Sequence, residues 1–175
     1  MLGRITLIDI DNGGPEVKLS QGYDAMGNRT AFSAPIDVGS GFVDDFQNTY
    51  TYDNLRRLTK IEQTEAASGN AVADKRVDFA YNAIGQFTTI TRYDDLAGTG
   101  EVATTTYAYD QLARLTDLTH THDTTTIADY DWASDAYSRV TSFTCSCLFY
   151  AQARMGAKIA GMRFAARGWG SVWTR

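Results

Sequence analysis

Proline is scarce in this 175-residue chain, occurring only as Pro15 and Pro35. Long uninterrupted strands are therefore permitted, since proline removes a ladder donor wherever it falls inside a sheet. Cysteine is equally scarce: Cys145 and Cys147 lie one residue apart. Neighbours that close rarely meet disulfide geometry with each other, so no disulfide framework and no redox compartment can be read. Histidine is limited to His120 and His122, and no Ser-His-Asp or Cys-His arrangement is discernible. No Gly-rich phosphate loop with its Lys occurs. No stretch approaches the roughly 18 uncharged apolar residues of a membrane span. The segment Met1-Leu2-Gly3-Arg4-Ile5 lacks the basic region and apolar run of a secretory signal.

Acidic residues are missing from one region altogether. Cys145 to Arg175 holds none, against five bases: Arg154, Lys158, Arg163, Arg167 and Arg175. The remaining 144 residues therefore carry all 21 acids against 16 − 5 = 11 bases, a net charge of −10. A body of that sign excludes an extended phosphate-binding face, and no nucleic-acid partner is expected.

What is present is strand-forming material. Ten tyrosines and abundant threonine suit a pleated, half-buried surface, and the 43% apolar content predicts a sizeable buried core. An eight-residue pattern recurs. It runs Tyr23-Asp24-Ala25-Met26-Gly27-Asn28-Arg29-Thr30, then Tyr52 to Thr59, Tyr81 to Thr88, Tyr109 to Thr116, and a worn copy from Ser134 to Thr141. First residues are spaced by 29, 29, 28 and 25. The eighth position is Thr in every copy: Thr30, Thr59, Thr88, Thr116 and Thr141. The fourth is apolar or aromatic: Met26, Leu55, Ile84, Leu112 and Tyr137. The fifth is small in Gly27, Gly85, Ala113 and Ser138, with Arg56 the exception. Two residues ahead of four copies stands another aromatic: Tyr50, Phe79, Tyr107 and Trp132. Leu2-Gly3-Arg4-Ile5-Thr6 matches the last five positions, so the chain is expected to begin inside a repeat, as a fragment of a longer array would.

Each copy reads as a hairpin. Tyr107 and Tyr109 point to one face of a strand. Asp110-Gln111-Leu112-Ala113 follows as a turn, where an Asp can bond amides two residues on. The glycines suit a position of positive φ. A second alternating strand then runs from Arg114 to Thr119. Asp11-Asn12-Gly13-Gly14, Ser68-Gly69-Asn70 and Gly98-Thr99-Gly100 supply connections at the opposite ends. The expected fold is all-β: an antiparallel array of stacked β-hairpins over residues 1–143, sharing an aromatic and aliphatic face. Residues 144–175 form a separate basic tail. It reads either as a short helical appendage, since Ala151–Ala166 is rich in helix formers, or as out-of-frame translation, which the compositional break favours.

The octets, with their aromatic-x-Tyr lead-in, resemble the YD repeat of Rhs proteins, also found in the C components of Tc insecticidal toxins and in teneurins. The resemblance covers roughly residues 2–143. It implies a spiral sheet, here an open fragment of a hollow shell. That shell encloses a C-terminal toxin or forms a cell-surface body, with the rest of the array as partner and an extracellular location. The framework residues it implies are Tyr23, Asp24, Gly27, Tyr52, Asp53, Tyr81, Gly85, Tyr109 and Asp110. Asn82 and Ser134 depart from the pattern. Neither proline follows an Asp, so the Asp-Pro-Gly type self-cleavage motif of bacterial shells is not matched.

Other chemistry is weaker. His120 and His122 with Cys145 and Cys147 could offer four zinc ligands, but the pairs lie far apart in the chain and near turns. Asp9-Ile10-Asp11-Asn12-Gly13 opens like a calcium loop, yet Ser20 stands where the bidentate Glu belongs; a hairpin turn explains it better. The repeated aspartates suit turns, since a turn residue recurs once per turn and a catalytic one does not. Arg163-Phe164-Ala165-Ala166-Arg167 could form a basic amphipathic helix, though an aberrant end accounts for it equally. The expectation is a structural, non-catalytic segment without cofactor or metal. Carbohydrate binding through surface tyrosines is the alternative, and a toxin in the tail is disfavoured because about 31 residues do not make an enzyme domain.

Overall fold

The computed structural model describes residues 4–11, 13, 16–37, 39–65 and 72–147. All regular structure among them is strand: β1 (Leu7–Ile10), β2 (Val17–Tyr23), β3 (Arg29–Asp37), β4 (Phe42–Tyr52), β5 (Leu58–Glu65), β6 (Lys75–Tyr81), β7 (Phe87–Tyr93), β8 (Glu101–Tyr109), β9 (Leu115–His122), β10 (Thr125–Ser134) and β11 (Val140–Cys147). Sheet order follows chain order. The all-β, antiparallel expectation holds. Residues 148–175, with their proposed helix, and the Ser68-Gly69-Asn70 connection lie outside the described residues; Thr144 to Cys147 continue β11.

The chain divides between Val102 and Ala103. In the first unit, antiparallel ladders join β1 through β7 in succession. In the second, β8, β9, β10 and β11 pair likewise. The octets occupy the β2–β3, β4–β5, β6–β7, β8–β9 and β10–β11 turns.

One irregularity recurs at all five. Tyr52 pairs with Leu58 while Thr51 pairs with Lys60, leaving Thr59 as an extra residue in the outgoing strand. The same shift sets Tyr23 against Arg29, Tyr81 against Phe87, Tyr109 against Leu115 and Ser134 against Val140. The invariant threonine is thus the bulged residue of each hairpin. The strict alternation expected from Arg114 to Thr119 breaks there, and Leu115 and Leu118, three apart, both face the side of Tyr109 and Tyr107. The Thr59 hydroxyl donates to the Thr51 carbonyl (3.1 Å) and Thr141 to the Ala133 carbonyl (3.2 Å), which explains a hydroxyl at this place.

In each unit one sheet face is aromatic and aliphatic, built from pairs such as Tyr50 with Ile61, Phe79 with Ile90, Tyr107 with Leu118 and Trp132 with Phe143. The other carries residues such as Thr51, Lys60, Thr106 and Thr119. The expected buried core is absent from the described residues: only Ala128 and Thr105 are buried, at 8% and 1% exposure. Among the described residues of each unit no second layer lies over the apolar face, which is left half-covered.

Candidate functional site

The octet turns carry the most regular constellation in the molecule. In each, the second residue's N–H donates to the sixth residue's carbonyl and the fifth N–H to the second carbonyl, as Asp53–Arg57 (2.9 Å) and Arg56–Asp53 (2.9 Å) illustrate. The fifth residue takes positive φ in every copy: Gly27 (95°), Arg56 (61°), Gly85 (87°), Ala113 (62°) and Ser138 (62°). Arg56 departs from the small-residue pattern yet adopts the same backbone conformation.

The aspartate closes the turn from inside. Asp53 Oδ1 accepts from the N–H groups of Leu55 and Arg57 (2.9 Å each), and Oδ2 from Arg57 Nε (2.7 Å). Asp110 does the same with Leu112 and Arg114, and Asp135 with Tyr137 and Arg139. Asp24 engages the amides of Met26 and Asn28 and the Asn28 side chain. At the departure Asn82, the amide oxygen takes the Ile84 and Gln86 amides and the amide nitrogen reaches Gln86 Oε1 (2.9 Å). The geometry survives without the charge.

These bonds favour the anion. The Arg57 amide, working against partial burial, holds Asp53 below the usual carboxylate range, with Arg57's side chain adding to it. The Arg114 and Arg139 amides lower Asp110 and Asp135 in the same way. At Asp24 burial opposes ionisation, but the Asn28 side chain and three amides outweigh it and the net shift is downward. Burial raises Tyr52, Tyr81 and Tyr109.

Two further contacts reach from one copy to the next. Tyrosine hydroxyls donate backward to the seventh-position carbonyl of the preceding copy: Tyr52 to Arg29 (2.9 Å) and Tyr81 to Leu58 (2.7 Å). The Tyr23 hydroxyl lies 3.3 Å from the Ile5 carbonyl, so the half-copy behaves as a seventh position too. Arginines at the sixth position reach forward. Arg57 Nη1 donates to the Asn82 carbonyl (3.1 Å) and Arg114 Nη1 to the Asp135 carbonyl (2.7 Å), while Arg4 Nη1 lies 3.5 Å from the Asp24 carbonyl. The Arg57 guanidinium sits 4.7 Å over the Tyr81 ring, and Arg4 5.5 Å over Tyr23. Tyr, Asp and Arg of neighbouring copies thus form one stitch; the repeat pattern has arginine at its sixth position, but the framework residues read from it were Tyr, Asp and Gly, without Arg57 and Arg114.

Sequence reasoning missed two other features. Asp95 caps the Gly98-Thr99-Gly100 connection, accepting from the Gly98 (2.6 Å), Thr99 (3.0 Å) and Gly100 (2.7 Å) amides. Thr99's side-chain bond, with those amides, lowers its pKa. Asp117, Asp129 and Asp131 bring carboxylate oxygens within 4.8 Å of one another across β9 and β10, with the Thr119 hydroxyl bonded to Asp117 and Asp129 and Thr144 to Asp131. Only the folded register discloses that grouping, since Asp117 lies opposite Asp131.

The zinc-type residues take other partners. His120 Nδ1 lies 2.9 Å from the buried Thr105 hydroxyl, and its ring meets Tyr130 edge-on. The Cys147 side chain lies outside what the structure describes. In the calcium-like segment Asp11 accepts from the Gly13 amide (3.1 Å), Asp9 pairs across the ladder with Lys18, and Ser20 opposes Leu7. That is the geometry of a hairpin connection.

No family model and no curated protein matches the chain. Among solved structures it is similar to a porin-like protein from Bacteroides uniformis, with a TM-score of 0.37 and 17% identity over 80% of this chain. The chain spans about half (52%) of that protein's length. At that score the likeness carries no functional argument. Among the described residues no helix is long and apolar enough to cross a membrane, which says nothing of β-barrels.

Proposed function

We propose that the chain is a wall segment of a longer Tyr-Asp repeat array of the YD/Rhs type, whose role is to enclose or present a polypeptide at or outside the cell surface. One observation carries this reading: hydrogen bonds tie successive copies together, from Tyr52 and Tyr81 backward and from Arg57 and Arg114 forward, with both kinds meeting between the Tyr52 and Tyr81 copies. These groups are all used in holding hairpins side by side. The carboxylates of Asp24, Asp53, Asp110 and Asp135 are spent as anions on turn amides, and Asn82 does the same work uncharged. The role is therefore non-catalytic and needs no cofactor.

The test is to read the coding sequence on both sides of this segment in all frames. Further octets at a spacing of about 28 or 29 residues support the array. Flanks without octets sink it. Protease accessibility on intact cells, with a lysed control, tests the location.

A second reading has one observation of its own. Tyr130 and Trp132 stack with centroids 6.2 Å apart, Tyr130 and Phe143 lie nearly parallel at 6.3 Å, and Phe143 is exposed. Such a platform suits the apolar face of a sugar ring. A glycan array separates the two: saturable binding lost in Trp132→Ala supports recognition of carbohydrate, and a silent array leaves scaffolding alone.

A further inference from the structure

One set of side chains is left unexplained by the hairpins. The fourth octet residue is apolar or aromatic in all five copies, and in all five it stands in solvent, from 61% exposure at Met26 through Leu112, Leu55 and Ile84 to 82% at Tyr137. Turns are ordinarily built from Gly, Pro, Asn, Asp and Ser, so the turn itself calls for no apolar side chain there. Nor does packing call for one at such exposure. We infer that the octet tips form a membrane-contacting rim, with the fourth-position side chains dipping into the boundary between the headgroups and acyl chains of a lipid bilayer. Each unit would then rest on the surface by one end of its sheet without spanning the membrane. The inference goes beyond the array reading and does not depend on it.

The backbone behind each apolar tip is prepared for a medium of low polarity. An amide left without an acceptor there would oppose insertion strongly. At all five tips the N–H of the fourth residue already donates to the second residue's side chain: Met26 to Asp24, Leu55 to Asp53, Ile84 to Asn82, Leu112 to Asp110 and Tyr137 to Asp135. The fifth N–H donates to the second residue's carbonyl. The sixth returns to the same side-chain oxygen as the fourth. Three consecutive donors are thus satisfied inside the turn, directly behind the apolar side chain.

Charge points the same way. The 144 residues before Cys145 carry a net −10, yet no Asp or Glu occupies the third, fourth or fifth position of any octet. The second-position carboxylates are turned onto amides within their own turns. What lies at the tips besides the apolar residue is small or neutral, as with Ala25, Ala83, Gln111 and Ala136, or basic, as with Arg56. At Tyr137 the Arg139 guanidinium sits 5.5 Å from the ring. A phenol with an apolar body and a polar end suits the headgroup level.

Shape selects a bilayer over a folded protein. Within the first unit the tips of the β2–β3, β4–β5 and β6–β7 turns follow one another along one end of the sheet, about 10 Å apart, or two strand spacings. A stable protein interface needs a continuous surface of roughly 1,000 Å² or more. Single side chains on separate turn tips do not make one, whereas a fluid lipid phase closes around each.

The test is co-flotation of the full chain with phosphatidylcholine vesicles at millimolar lipid, with sedimentation velocity in parallel. Reversible association that survives high salt is expected. Added phosphatidylglycerol should not strengthen it, since the chain carries a formal net charge of −5. Leu55→Asn and Ile84→Asn should each lower the partition coefficient about fivefold, and the double variant by roughly the product. Asn is a good turn residue, so circular dichroism of these variants should match the parent. Ile127→Asn, which removes an exposed apolar side chain far from any octet turn, should float as the parent does. The inference is overturned by absence of flotation, by flotation that needs phosphatidylglycerol and vanishes in salt, or by tip variants that float like the parent. Self-association lost in the tip variants, without flotation, overturns it in favour of a second copy. The array reading is decided separately, by the flanking coding sequence.

Discussion

Asp53, Asp110 and Asp135 are held as anions by amides and an arginine, and each therefore links folding to pH. Their folded values lie below the unfolded value of about 3.9, so the unfolded chain takes up protons first as pH falls. The stabilisation is present above about pH 4 and is lost as pH drops through the lowered folded value. Asn82 shows that an amide holds the same turn. Replacing all three aspartates with Asn is expected to flatten the acid limb of a denaturant-midpoint profile; a limb as steep as the parent's would place the acid sensitivity elsewhere. Single Asp→Ala changes should lower the midpoint already at neutral pH. The fifth octet position gives a second prediction. Arg56 at φ 61° bears a left-handed conformation that costs a non-glycine residue about 1 kcal/mol or more. Arg56→Gly should raise stability by roughly that amount, and Gly85→Ala should lower it similarly, both measured as shifts in urea midpoint.

Much of the hairpin element was legible in the sequence. The aromatic-x-Tyr lead-in marks the incoming strand, the Asp-led tetrad marks the turn, and both fall where the structure has them. The outgoing strand was read less well. Alternation from Arg114 to Thr119 looks regular on paper, but Thr116 bulges and shifts the faces that follow. A bulge is a property of two paired strands, so one strand's periodicity does not disclose it. The part played by Arg57 and Arg114 between copies was not legible for a similar reason: their second partner lies 25 and 21 residues away, in the next turn. The 43% apolar content suggested a buried core, whereas among the described residues only Ala128 and Thr105 are buried and large apolar side chains stay exposed. At this scale the stitch is testable. Tyr81→Phe removes one hydroxyl whose bond to Leu58 spans two copies. It should cost about 1 kcal/mol in urea denaturation, with the strand spectrum of the native state unchanged. A loss below the error of the midpoint would mean that water replaces the bond without penalty.

For the whole molecule, the decisive feature is how little is buried. Only Ala128 and Thr105 are buried among the described residues, and large apolar side chains such as Val140 and Phe143 stand 62% and 55% exposed. Native protein at neutral pH should therefore bind 1-anilinonaphthalene-8-sulfonate with enhanced fluorescence while its circular dichroism shows strand. Absence of enhancement would mean that the aromatic face is already covered in solution.

The stitch also has a direction. Arginine always reaches toward the later copy and tyrosine toward the earlier one. A ribosome releases the earlier copy first, so where the sixth position is arginine, as at Arg57 and Arg114, the emerging hairpin meets a waiting guanidinium on the edge already formed. Assembly of such a wall is vectorial, like laying courses on a foundation, and interrupting synthesis after an arginine-bearing copy leaves that course primed for its successor.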